Sequence, residues 1–245
     1  MTITQSFVDL ETATGTMRCS VVRPTLSGAF PTVIFYSEIF QITEPIARTA
    51  AFLAGHGYVV VVPEVFHELN EIGTVLAYDD EGKDKGNTDK FTKALSDHDT
   101  DTEAIVAWLD EQEFCNGTLG SFGVCLGGHL AARAALHSRV QAASCLYATD
   151  IHSSTMPAGE KPQTIDQLEN LDGEIMFVWG RQDPHVPLEG RKHLYDALNE
   201  SGVNYTWHEL NGQHAFIRDE GDRYDPELAG LCQRLTLDLF HRALR

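Results

Sequence analysis

The stretch TLGSFGVCLGGHLAARAAL, Thr118 to Leu136, reads as a short apolar strand that runs directly into a helix, with Gly123-Val124-Cys125-Leu126-Gly127-Gly128 at the joint. A strand that reverses into a helix within a few residues holds the apex residue in a strained backbone conformation. The positions two before and two after the apex must then be nearly free of side chain, which Gly123 and Gly127 satisfy. Such a turn exposes the Cys125 sulfur at a helix N-terminus, where backbone N–H groups and the helix dipole favour a thiolate. A buried structural cysteine beside a Gly-rich turn fits the hexad as well.

Outward from this joint, short β-branched runs alternate with longer amphipathic segments, the pattern of a parallel sheet covered on both faces by helices. The expected class is α/β. Strands are expected at Met17 to Val22, Pro31 to Tyr36, Tyr58 to Val62, Thr118 to Phe122, Ala142 to Tyr147, Glu174 to Trp179 and Asn204 to Glu209. Helices are expected at Pro45 to Gly55, Thr100 to Glu111, Leu126 to His137, Leu188 to Ser201 and Pro226 to Leu244. Two stretches break the rhythm: Phe66 to Asp97, charged and punctuated by Gly73, Gly82 and Gly86, and Asp150 to Leu171, polar and holding Pro157, Gly159 and Pro162. Both read as long loops, either covering a site or running over the surface. At 245 residues and 42% hydrophobic content, residues 1–245 are expected to form one domain.

Charge excludes some partners. With 18 Lys+Arg against 36 Asp+Glu, the formal charge of −18 repels phosphate backbones and anionic lipid, so no nucleic acid and no membrane is expected as partner. The five cysteines, Cys19, Cys115, Cys125, Cys145 and Cys232, are scattered without a CxxC pair, and the 11 histidines show no HExxH spacing. Neither a disulfide framework nor a metal site is signalled, and no metal or organic cofactor is expected. The start MTITQSFVDL has no basic region followed by an apolar run, so a cytoplasmic protein is the expectation. A monomer is expected rather than an oligomer.

A thiol nucleophile on an elbow needs a histidine and an acid, each following a later strand, in the order nucleophile, acid, histidine. Asp183 follows the strand EIMFVWG, and His214 follows the strand NYTWHEL. A lone Asp-Pro is usually a turn and a lone Gly-x-His usually a loop, so it is the order that matters.

Four segments, GVCLGG, GRQDPHVP around Asp183, GQHAFIR around His214, and Ser37-Glu38-Ile39-Phe40 after PTVIFY, resemble the dienelactone hydrolase family, the carboxymethylenebutenolidases, over most of the chain. The resemblance implies an α/β-hydrolase fold and hydrolysis of an ester or lactone by Cys125, His214 and Asp183. It further implies that Glu38 hydrogen-bonds the resting thiol, and that the Leu126 and Ile39 N–H groups form the oxyanion hole. Arg218 matches one of two arginines that hold a substrate carboxylate, and ungapped alignment puts Lys83 near the other. A broad-specificity carboxylesterase, or a non-catalytic thiol sensor or binding protein on this fold, are the alternatives. The G-x-C-x-G turn also occurs in glutamine amidotransferases and small flavodoxin-like proteins, which place histidine and acid differently.

Overall fold

The computed structural model describes every residue except Ala158. The chain begins with a hairpin of β1 (Ile3–Thr12) and β2 (Gly15–Pro24), followed by β3 (Phe30–Tyr36), α1 (Glu44–Gly55) and β4 (Val59–Pro63). Two consecutive helices, α2 (Asp80–Thr92) and α3 (Leu95–Asp110), lead to β5 (Cys115–Val124), α4 (Leu126–Ala134) and β6 (Val140–Leu146). A 3-10 turn (Thr164–Asn170), β7 (Glu174–Gly180), α5 (Leu188–Ser201), β8 (Tyr205–Leu210) and α6 (Pro226–Leu244) complete it.

The eight strands form one sheet in the order β1-β2-β4-β3-β5-β6-β7-β8. From β4 to β8 all pairings are parallel, and only β1 with β2 and β2 with β4 are antiparallel. The alternation of side chains explains the two layers. In β4, Val59 and Val61 face one hydrophobic cluster with Ile105 of α3, Leu130 of α4 and Leu194 of α5. Val60 and Val62 face the other, with Leu53 of α1 and Phe240 of α6. Each such buried aliphatic side chain stabilises the fold by about 1.5–3 kcal/mol. This is the α/β-hydrolase fold that the sequence implies.

Sequence and structure part at three places, each with a physical cause. Strand β1 has no apolar run because it is an edge strand with most of its side chains in solvent. The stretch 66–97, expected to be a loop, contains all of α2 and the start of α3. Asp79 caps α2 by accepting the Gly82 N–H at 2.8 Å. A Cβ on Gly86 would lie 2.6 Å from the Ile39 carbonyl oxygen, so this glycine marks a close approach of helix to loop. In the second expected loop, the 3-10 turn is held by reciprocal bonds between Gln163 and Asp166.

Candidate active site

All parallel strands end on the same edge of the sheet, and four segments at those ends converge there. Glu38 and Ile39 follow β3, Cys125 follows β5, Asp183 follows β7 and His214 follows β8. Cys125 has φ 59° and ψ −123°, a backbone conformation in which a residue with a Cβ is strained. Three bonds hold it: its N–H donates to Leu146 at 3.1 Å, and its carbonyl accepts from Gly128 at 3.1 Å and Thr149 at 3.2 Å. The elbow also needs glycine physically, since a Cβ on Gly123 would collide with the Gly127 carbonyl. Among the described residues, neither the Ile39 nor the Leu126 N–H donates to another protein group.

The structure brings the acid and histidine together. His214 Nδ1 is 2.7 Å from Asp183 Oδ2, and the other Asp183 oxygen accepts the His185 backbone N–H at 2.8 Å. Burial works most strongly against the Asp183 charge, but the hydrogen bond and charge of His214, joined by the His185 N–H and ring, together outweigh it and hold the carboxyl below its ordinary pKa. Burial likewise opposes a charged His214. The charge of a Cys125 thiolate, then the bond to Asp183, reverse this and raise its pKa to about 10. His185 packs its ring against His214 with centroids 4.6 Å apart, and Tyr147 packs at 5.1 Å. Burial, then the neighbouring His214, lower the pKa of His185.

Glu38, 2% exposed, lines the same cavity as Cys125. Its partners among the described residues are Tyr78, whose hydroxyl donates at 3.2 Å, and Arg218, whose Nη1 lies 3.7 Å away, both to Oε2. A carboxylate this buried is stabilised most by the nearest cation and donor, and these are Arg218 and Tyr78.

Cys125, His214 and Glu38 open into a cavity of about 610 Å³. Lys83, Lys90, Arg218 and Arg223 gather there in a chain of strongly negative charge, beside Asp79, Asp80 and Asp222. Lys83 lies in the wall as the alignment places it, but its ammonium is half-exposed and bonded to Asp80 at 2.6 Å. Lys90, unmarked in the sequence, is the buried cation, paired with Asp150 at 3.0 Å. Tyr78 is a further wall residue that sequence reading missed, since nothing in LAYDDE distinguishes it from a loop aromatic. Of the two stretches expected as covers, 66–97 lines the cavity from Tyr78 to Lys90, while among the described residues 150–171 contributes none of its wall.

Comparison with known proteins places the chain in a family. The chain is 39% identical over 258 residues to a Saccharomyces cerevisiae protein assigned to the carboxymethylenebutenolidases, covering 100% of this chain and 94% of that one. It is 25% identical over 216 residues to the carboxymethylenebutenolidase of Pseudomonas sp. strain P51, covering 88% and 86%. A crystal structure of a Klebsiella pneumoniae protein assigned as a dienelactone hydrolase superposes with a TM-score of 0.85 at 21% identity, over 99% of this chain and 100% of that one, a likeness of fold. The sequence profile of the dienelactone hydrolase family matches residues 17–244, from the second strand of the hairpin to the last helix. With the profile spanning every segment that reaches the cavity, the chain belongs to the dienelactone hydrolase family and is a hydrolase.

Proposed function

We propose that this hydrolase cleaves carboxylic esters or lactones through a thioester on Cys125. The observation that carries the reading is the 2.7 Å bond between His214 Nδ1 and Asp183, on the cavity that the elbow cysteine also lines. It fixes the tautomer of the imidazole and supports its positive charge. In the first step the Cys125 thiol proton passes to His214, by way of Glu38, as the sulfur attacks the carbonyl carbon, and the carbonyl oxygen takes up negative charge against the Leu126 and Ile39 N–H groups. Collapse expels the alkoxide, which takes a proton from His214 and leaves an acyl group on sulfur. His214 then removes a proton from water as it attacks the thioester, and the acid departs with the thiolate restored.

Arg218 gives this site its substrate preference in the proposal. A guanidinium 16% exposed on the cavity wall suits bidentate capture of a carboxylate on the substrate, and Lys83 and Lys90 add positive potential nearby. Glu38, on the same wall, takes or returns the thiol proton.

The test compares wild type with Cys125→Ala on a neutral p-nitrophenyl ester and a carboxylate-bearing dienelactone. Loss of turnover on both in Cys125→Ala, with the wild type preferring the charged lactone, is the expected result. A wild type that cleaves only the neutral ester would remove the carboxylate site and leave a broad esterase. Full turnover by Cys125→Ala would remove the nucleophile.

A further inference from the structure

Tyr78 touches both side chains that the proposed reaction assigns to proton and carboxylate handling. Its hydroxyl donates to Glu38 Oε2 at 3.2 Å and accepts from Thr43, whose Oγ1 lies 2.7 Å away. The Arg218 guanidinium sits over the face of its ring, with Cζ 4.1 Å from the centroid. Phe40 packs at 4.7 Å against the same ring in a T-shaped contact, which fixes its plane. The segment bearing Tyr78 is tied down on both sides, by the Leu76 N–H bonded to the Phe40 carbonyl at 3.1 Å and by the Asp79 cap of α2.

The Tyr78 hydroxyl and the guanidinium stacked on its ring therefore meet at a single carboxylate oxygen. Glu38 Oε2 is the atom that both the phenol and Arg218 approach. When a substrate carboxylate draws the guanidinium toward the cavity, Glu38 loses its ion partner, while the phenol remains its donor. A buried carboxylate with no donor at all is strongly disfavoured, so the surviving bond decides how Glu38 is oriented while it handles a proton. We infer that Tyr78 is a positioning residue with a divided role, its hydroxyl holding Glu38 and its ring face holding Arg218. Burial, then the charge of Glu38, push the pKa of the phenol up, so it stays a donor throughout the working range.

The division rests on the Cys125 reading and makes the two halves separable. Removing the hydroxyl alone, in Tyr78→Phe, takes a donor from the charged form of Glu38 and moves the acid limb of the Cys125 alkylation profile to higher pH. Among the described residues, the groups that titrate or carry charge on the walls shared with Glu38 are Tyr78, Arg218, Cys125, His214 and Tyr147, with Asp79, Asp80, Lys83, Lys90, His185, Asp222 and Arg223 also on the cavity, so the same profile is recorded in Glu38→Gln. The ring is kept in Tyr78→Phe, and KM for a carboxylated ester stays within about twofold of wild type. Tyr78→Leu loses both contacts: the profile shifts as in Tyr78→Phe, and KM for the carboxylated ester rises about tenfold with KM for the neutral ester unchanged. In the Glu38→Gln background, Tyr78→Phe adds nothing to the profile, because the group it acts through is gone.

Iodoacetamide alkylation of Cys125 against pH, together with kcat and KM on the paired esters, reads all of this on the intact chain. Circular dichroism and thermal unfolding verify that each variant is folded, and if Tyr78→Leu is not, Tyr78→Phe and the double variant carry the test alone. The inference is overturned if Tyr78→Phe leaves the alkylation profile unchanged. It is equally overturned if its effect persists in Glu38→Gln, or if folded Tyr78→Leu raises KM for charged and neutral esters alike. Full turnover by Cys125→Ala would overturn the underlying reading and the inference with it, whereas Cys125-dependent turnover indifferent to Tyr78 overturns the inference alone.

Discussion

His214 donates through Nδ1 to Asp183 at 2.7 Å, and both groups are more than nine-tenths buried, so the imidazole has one orientation and one tautomer available to it. Asp183→Asn preserves size but replaces the charged acceptor with an amide that either donates or accepts. Turnover number is expected to fall by about 10²- to 10⁴-fold with little change in KM. Steady-state kinetics of the folded variant check this, and a variant with wild-type kcat would remove the orienting role.

The raised pKa of His214, about 10, owes more to the Cys125 charge than to any other favourable influence. Burial alone would push it the other way. In Cys125→Ala the imidazole therefore loses its proton at lower pH than in wild type, the sign expected when a stabilising anion is removed from a cation. Following the His214 ring proton by NMR against pH reads the shift. An unchanged midpoint would mean that the thiol and imidazole are not electrically coupled.

Helix α2 approaches the Ile39 carbonyl so closely that Gly86→Ala brings its new Cβ to 2.6 Å from that oxygen. The helix or the Ile39 backbone must shift. Overpacking of this kind costs about 1–3 kcal/mol of stability. Because the residues of α2 also line the cavity, kcat/KM is expected to fall together with Tm. Denaturation and kinetics on the same preparation decide it, and a variant that loses stability but keeps full activity would separate α2 from the site.

Away from the cavity wall, Lys93 is fully buried and bonds Asp101 at 2.6 Å and Glu68 at 2.8 Å, while His67 reaches Asp101 at 3.1 Å. Lys93→Met strands two acids and is expected to lose about 3–5 kcal/mol in urea denaturation, with kcat unchanged in the folded protein. The same cluster has a pH signature. Burial opposes the Asp101 charge, but the bonds from His67 and Lys93 outweigh it and lower its pKa. Its contribution is thus present above the ordinary carboxylate range, near pH ~4, and is lost as pH falls through the lowered value. Asp101→Asn is expected to lose less stability on acidification than wild type, and equal slopes would contradict this.

The sequence made the elbow and the sheet legible because their signals are local. Gly123 and Gly127 stand at fixed distances from Cys125, and a run such as YVVVV admits little but a strand buried on both faces. Asp183 and His214 were found through strand order, which sequence also carries. The remainder depended on partners distant in the chain. Helix α2 was hidden because Gly82 and Gly86 read as loop punctuation until the Ile39 carbonyl is seen against Gly86. Lys90 gains its character from Asp150, 60 residues on, and Tyr78 from Glu38 and Arg218, 40 residues back and far ahead. The resemblance implies a Glu38–thiol bond but says nothing of Tyr78, and the partners that packing gives Glu38 Oε2 are Tyr78 and Arg218.

The central claim is the thioester. His214→Ala retains the Cys125 sulfur but lacks the base that activates water, so rapid quenching after addition of an activated ester is expected to trap the acyl group. Intact mass spectrometry with peptide mapping reads the result directly. The account predicts a single acyl adduct on the peptide containing Cys125, absent when Cys125→Ala is combined with His214→Ala. An adduct on any other residue, or turnover with no adduct on Cys125 under conditions where the ester is consumed, would contradict it.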